Sequence, residues 1–261
     1  MKKNSLIKAG KLLIPVLVLL TGFSIGSIYF FNLEILVRYL IASEGYPLEI
    51  DKMDIQLSGD FSLERLKYLM SGEKGIEKQI KVEYTSGSFS PLSLIFSDKL
   101  NLDMSLRGCK IPFKDGIISG GTWKLNVLIN NLAKNAQQWE GPSILSIENA
   151  MLEYTVMNTS YTALIKSGKL TGWIKNGVFQ LDESEILTDI AKITIKGNST
   201  IVNPYNVNME IHILPLDEFG KKYPNEKSML SALLTKDPFI IVTLNGPVDR
   251  LNPQVKNLSS F

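Results

Sequence analysis

The chain has 261 residues, 44% of them hydrophobic, with 28 basic and 26 acidic side chains, one histidine and one cysteine. A net charge of +2 argues against a nucleic-acid partner, which calls for a basic face. A lone thiol, Cys109, excludes an internal disulfide, and a lone histidine excludes the His- and Cys-rich metal classes.

Lys2, Lys3, Lys8 and Lys11 precede an uncharged run from Leu12 through Leu20 to Phe31. Twenty helical residues span about 30 Å, the thickness of a bilayer's hydrocarbon core. Ser24-Ile25-Gly26 offers a cleavage pattern, but Tyr29, Phe30 and Phe31 carry the apolar stretch past it and fit an interfacial belt. Residues 12–31 are therefore read as a retained transmembrane anchor. Lysines on one side only put residues 1–11, a basic tail, in the cytoplasm and the rest across the membrane. The expectation is a single-pass membrane protein with its bulk across the membrane, and one unpaired thiol suits a bacterial envelope protein.

Leu33, Leu36, Val37, Leu40 and Ile41 fall at helical spacing. They predict a juxtamembrane amphipathic helix over residues 32–46, with Gly45 as its stop. From Pro47 the period changes to two, and residues 47–261 read as a β-rich domain. Leu48 and Ile50, then Met53, Ile55 and Leu57, alternate with polar residues, with Asp51-Lys52 as a bulge between them. Ile80, Val82 and Tyr84 alternate again. Pro91 to Phe96 reads as one helical turn. Leu100 to Leu106, Trp123 to Ile129, Val207 to Ile213, and Phe239, Ile241 and Thr243 repeat the strand pattern. Helices are expected over 131–140 and within 217–234, where Pro224 breaks the run and leaves Asn225 to Leu234. The fold class is mainly β: the transmembrane helix, then a strongly coiled, mostly antiparallel sheet with a few short helices. Glycines recurring inside the strand pattern, as at Gly120-Gly121, Gly172, Gly197 and Gly246, supply bends.

Chemistry is harder to find. His212 shares the polar phase with Asn208 and Glu210 and should face solvent. Asp182, Glu183 and Glu185 follow Leu181 where a solvated turn is expected, which does not set up a carboxylate pair in a cleft. Ser71-Gly72-Glu73-Lys74 fits Ser-x-x-Lys but sits in a Gly- and Lys-rich loop. No nucleophile elbow, P-loop or dinucleotide fingerprint occurs. The chain reads as a non-enzyme without cofactor or metal. Trp123, Trp173, Phe179 and Tyr205 are candidates to line an apolar groove on the sheet, with phospholipid as its occupant; the alternative is that they are core.

The order of parts is familiar. A basic tail, one anchor, an amphipathic helix and a strand-Gly-strand opening (Leu48 to Leu66) resemble the start of AsmA-like envelope proteins. Ser90-Pro91-Leu92-Ser93-Leu94, the strand Leu100 to Leu106 and the turn Gly116 to Gly121 resemble the type II secretion system protein N (GspN) family more closely. So do Gly168 to Gly172, Asn176 to Leu181, Ile193 to Ile201 and the closing Leu244-Asn245-Gly246-Pro247-Val248. The GspN resemblance implies a non-enzymatic, inner-membrane-anchored periplasmic component of a type II protein secretion system. Its partners would be the bilayer and other secretion-system subunits. The AsmA-like resemblance implies an envelope protein that handles or transfers lipid along an apolar β groove.

Overall fold

Thirteen strands form one sheet in the computed structural model, which describes residues 33–43, 47–70, 78–113, 115–132, 134–156, 159–202, 205–233, 239–247 and 252–256. The anchor run, with Leu12, Leu20 and Phe31, lies outside these residues, as does the segment from Ser71 to Lys74. Among the described residues no helix is long and apolar enough to cross a membrane. The chain divides into two compact units, one of residues 1–46 with 55–57 and one of residues 47–54 with 58–261. In the first, helix α1 (Leu33–Ser43) carries an ion pair between Arg38 and Glu34, 2.9 Å apart and one turn from each other.

The strands are β1 (Leu48–Ile55), β2 (Asp60–Met70), β3 (Lys78–Phe89), β4 (Lys99–Arg107), β5 (Lys110–Phe113), β6 (Gly116–Asn130) and β7 (Gly141–Val156). They continue with β8 (Thr159–Lys175), β9 (Val178–Thr188), β10 (Ala191–Thr200), β11 (Asn206–Pro215), β12 (Ile240–Pro247) and β13 (Asn252–Val255). Each strand pairs with the next one in sequence, except that β4 pairs with β6 and the short β5 is wedged between β3 and β6. The path runs from β1 to β13 without closing. Sequential antiparallel pairing gives the sheet a near end, where Leu48 starts β1, and a far end, where β1 turns into β2. In β1 the burial phase slips by one residue at Asp51-Lys52, where the bulge is expected.

Local chemistry explains the connections. At the far end Asn176 and Gly177 both take positive φ (53° and 74°), the geometry of a two-residue hairpin turn that twists with its strands. Helix α2 (Pro91–Ser97) also lies at the far end, between β3 and β4. Ser90 caps it by accepting a hydrogen bond from the Ser93 amide at 3.3 Å, Pro91 opens its first turn, and a left-handed Asp98 ends it.

At the near end the expected helix within 217–234 is two, α3 (Asp217–Lys222) and α4 (Pro224–Leu233), with Pro224 opening the second. They serve the edge of β8, which runs past the end of β9. The Tyr223 hydroxyl accepts from the Thr162 amide at 3.1 Å and donates to the Thr162 carbonyl at 3.2 Å. Lys222 Nζ donates to the same carbonyl at 2.7 Å. Asp189 takes the Leu164 amide on its carboxylate at 2.8 Å and returns its own amide to the Leu164 carbonyl at 2.9 Å. Side chains thus satisfy a stretch of strand edge that would otherwise invite another chain.

Three expectations need correction. Residues 131–140 are not a helix, apart from a single 3-10 turn at Ala136–Gln138. Asn131 is left-handed (φ 61°), and the loop closes on itself through Trp139 Nε1 to the Lys134 carbonyl at 3.2 Å and Asn131 Nδ2 to the Gln138 carbonyl at 3.3 Å. In β12 the apolar phase is Ile240, Val242 and Leu244, because Ile240 pairs with Ile213 while Ile241 opposes His212. Asp182, Glu183 and Glu185 lie inside β9, at a bulge against β8, and not in a turn.

Candidate functional site

Because side chains alternate, register decides what each face carries. One row crosses eight strands in direct opposition: Leu106, Trp123, Ile147, Gly168, Ile186, Ile193, Ile213 and Ile240. A second row holds Met104, Leu125, Leu145 and Leu170, and resumes after the β9 bulge with Ile195, Ile211, Val242 and Val255. Between them, on the opposite face, run Ser105, Lys124, Ser146, Lys169, Glu185, Thr194 and His212. One face is therefore apolar across most of the sheet and the other is polar. At about 4.8 Å per strand the first row is about 34 Å long.

No second sheet lies against the apolar face, and no helix is laid broadly across it among the described residues. Its two halves differ in closure. Toward β3–β8 it folds into a small sealed core of Val82, Cys109, Trp123, Ile147, Ala150 and Ile165, flanked by Leu66, Leu106, Ile111 and Leu152. The Thr85 hydroxyl is fully buried beside this patch without a hydrogen-bond partner, at a cost of about 1–3 kcal/mol. Toward β9–β13 the face is mixed: Leu181, Ser184, Thr188 and Ala191 are buried at its β9–β10 side, Ile186 packs against the sealed core, and Ile193, Ile195, Ile211, Ile213, Val242 and Leu244 are half-buried.

The sealed half depends on residues that break alternation. Arg65 in β2 (φ 53°), Asn149 in β7 (φ 55°) and Gly120-Gly121 in β6 (φ 73° each) are left-handed inside strands. Asn149 reverses which side the following residues face, so Ile147 and Ala150 are both buried although three apart; in β3, opposite Arg65, Val82 and Thr85 are likewise both buried. Tyr84, expected on the apolar phase, is exposed. Alternation alone gives no sign of these flips; the Gly-Gly pair was the one visible signal.

The four candidate groove residues do not come together. Trp123 is buried in the sealed core, its indole Nε1 donating to the Gly120 carbonyl at 3.0 Å. Phe179 does lie on the apolar face, its ring filling the space where Gly172 lacks a side chain. Trp173 pairs with Pro142 and Gln180 on the opposite face and is exposed, because it is one residue out of phase with Gly172 and Ile174. Tyr205 precedes β11 and is exposed. The residues that sequence reasoning passed over are the isoleucines and valines of β9–β12.

On the polar face His212 is not simply solvated. It stacks on Phe239, ring centroids 5.1 Å apart, and its Nε2 lies 2.8 Å from Glu210. Glu210 also meets Lys196 at 3.1 Å and Lys256 at 3.6 Å. The bonds from His212 and then Lys196 hold the Glu210 carboxyl down to about 2. The cluster ties β10, β11 and the residue after β13 together. A shallow recess of about 400 Å³ between β7, β8 and β9 is lined by Ser146, Glu148, Ser167, Lys169 and Glu185, but Glu185 is paired to Lys192 at 2.7 Å. No group of three or more His, Cys, Asp or Glu is placed to hold a metal among the described residues. Burial pushes the Cys109 thiol up to about 11, which keeps it protonated and unreactive.

No protein-family model matches the chain, and neither a curated protein nor a solved structure matches it.

Proposed function

We propose that the half-buried apolar face of β9–β12 is a groove that holds the acyl chains of a membrane lipid, in a protein tethered to the bacterial inner membrane with its sheet in the periplasm. One observation supports this reading: apolar residues in register continue from the sealed core across β10, β11 and β12, where they are half-buried and, among the described residues, no second sheet lies over them. An uncovered apolar face of this size on a soluble sheet calls for an occupant. The row is about twice the length of one bilayer leaflet, which takes about half of a 30 Å core. Holding and shielding acyl chains needs no catalytic group, so the proposed role is non-enzymatic.

The test is photocrosslinking of the full chain in its native membrane. A photoreactive residue at Ile211 or Ile195 should yield lipid adducts, and one at Thr194 or His212, on the opposite face, should not. Equal yields from both faces, or none from either, would overturn the groove.

The second reading, a structural component of a type II secretion system acting through protein contacts, is favoured by the open path of the sheet, which ends on the exposed strand β13. Normal secretion in a deletion strain would remove it.

A further inference from the structure

Helix α2 carries the most exposed apolar side chains of the sheet unit. Leu92 is 68% exposed, Phe96 79% and Leu94 37%. Leu92 and Phe96 are four residues apart and share a face of the helix. The element is held firmly: Ser90 caps its start, the Asp98 amide bonds back to the Ser93 carbonyl, and the Leu132 amide donates to the Asp98 carbonyl at 3.3 Å. Residues 90–97 contain no charge, and the flanking Asp98 and Lys99 cancel. A rigid, uncharged helix that shows a leucine and a phenylalanine side by side to water would be a liability unless something receives them.

We propose that α2 is a foot that inserts Leu92 and Phe96 into the interfacial region of a lipid bilayer. Size separates this occupant from a protein. Two side chains, even fully exposed, offer less than half of the roughly 800 Å² per partner in a specific protein interface. A patch that small suffices for a bilayer, because binding there scales with inserted apolar area and needs no shape match. Absence of charge points the same way, since no acidic group must be desolvated on insertion. α2 lies between β3 and β4, so the contact is separate from the proposed anchor in sequence. It does not depend on the groove being occupied.

The experiment uses full-length protein in proteoliposomes of zwitterionic phospholipid, with protein-free vesicles added in excess. A spin label is placed through Phe96→Cys, with Lys124→Cys on the polar face as reference; buried Cys109 does not take the label. The ratio of accessibility to oxygen over a water-soluble nickel chelate should be several-fold higher at position 96 than at 124. It should be unchanged by high salt, because the inserted residues carry no charge. Adding Leu92→Ser should return the label to water, and Leu92 is exposed enough to leave the fold intact. A label at 96 as open to the chelate as at 124 would refute the proposal. So would a label screened from both reagents, which indicates a protein partner or a second copy.

Discussion

Replacing Ile147 by alanine separates the sealed half of the apolar face from the open half. The substitution removes three carbons, worth about 0.8 kcal/mol each, or about 2.4 kcal/mol in all. Ile147 is 4% exposed and opposes Gly168, which has no side chain to move into the vacated space. The void persists and adds about 1 kcal/mol at about 24 cal/mol per Å³. The expected cost is thus about 3 kcal/mol, a fall in melting temperature of about 6–12 °C at 2–4 °C per kcal/mol for a unit of this size. Ile211→Ala is the matched comparison. It removes the same atoms from the half-buried region, between Ile195 and Val242, and should cost about 1 kcal/mol. Thermal unfolding of the detergent-solubilised full chain, followed by far-UV circular dichroism, reads both. Tryptophan emission reports the first site independently, since Trp123 is the registered neighbour of Ile147. If Ile211→Ala costs as much as Ile147→Ala, the β9–β12 face is a closed core and the groove fails. If Ile147→Ala costs under about 1 kcal/mol, the division into two halves fails instead.

The Glu210 cluster and Cys109 give two further tests. The folded pKa of Glu210, about 2, lies below its usual 4.5, so its contribution is full above pH 4.5 and lost as pH falls toward 2. Glu210→Gln should flatten the acid dependence of stability in that window and loosen β13, read as faster amide exchange at Gln254; an unchanged acid limb would show that the contacts to His212, Lys196 and Lys256 add nothing. Cys109, buried and shifted up to about 11, should resist maleimide at neutral pH in the folded protein and react on unfolding. Rapid labelling of the native state would contradict its place in the core.

Much of the fold could be read from alternation. Leu100 to Leu106 and Val207 to Ile213 face as their period predicts, and Pro224 and Asn176-Gly177 mark a helix start and a turn. The failures share a cause: period two holds only while every residue stays extended. Left-handed Arg65 and Asn149 look like ordinary strand or turn residues in sequence, yet alternation breaks at both, and in β3, paired to β2 on either side of Arg65, Tyr84 is exposed and Thr85 buried against expectation. At the start of β12 alternation counts from Phe239, but that ring stacks on His212 just before the strand begins, which shifts the count by one. The candidate groove was sought through aromatic residues, which are large and conspicuous. It is instead bounded by β-branched residues that become a surface only once the register of seven strand pairs is known.

Pairing each strand with the one before it also determines how the molecule can be made and varied. Nearly every contact joins segments adjacent in sequence, so loop-closure entropy stays small and no distant partner must be awaited. A chain delivered from its N-terminus can add strands one at a time, each docking on an edge already in place. The same arrangement lets a hairpin be inserted or lost between two neighbours without disturbing the register of the others. Length across the sheet is thereby a quantity that mutation can tune in steps of two strands, or about 10 Å, while the chemistry of each face stays the same.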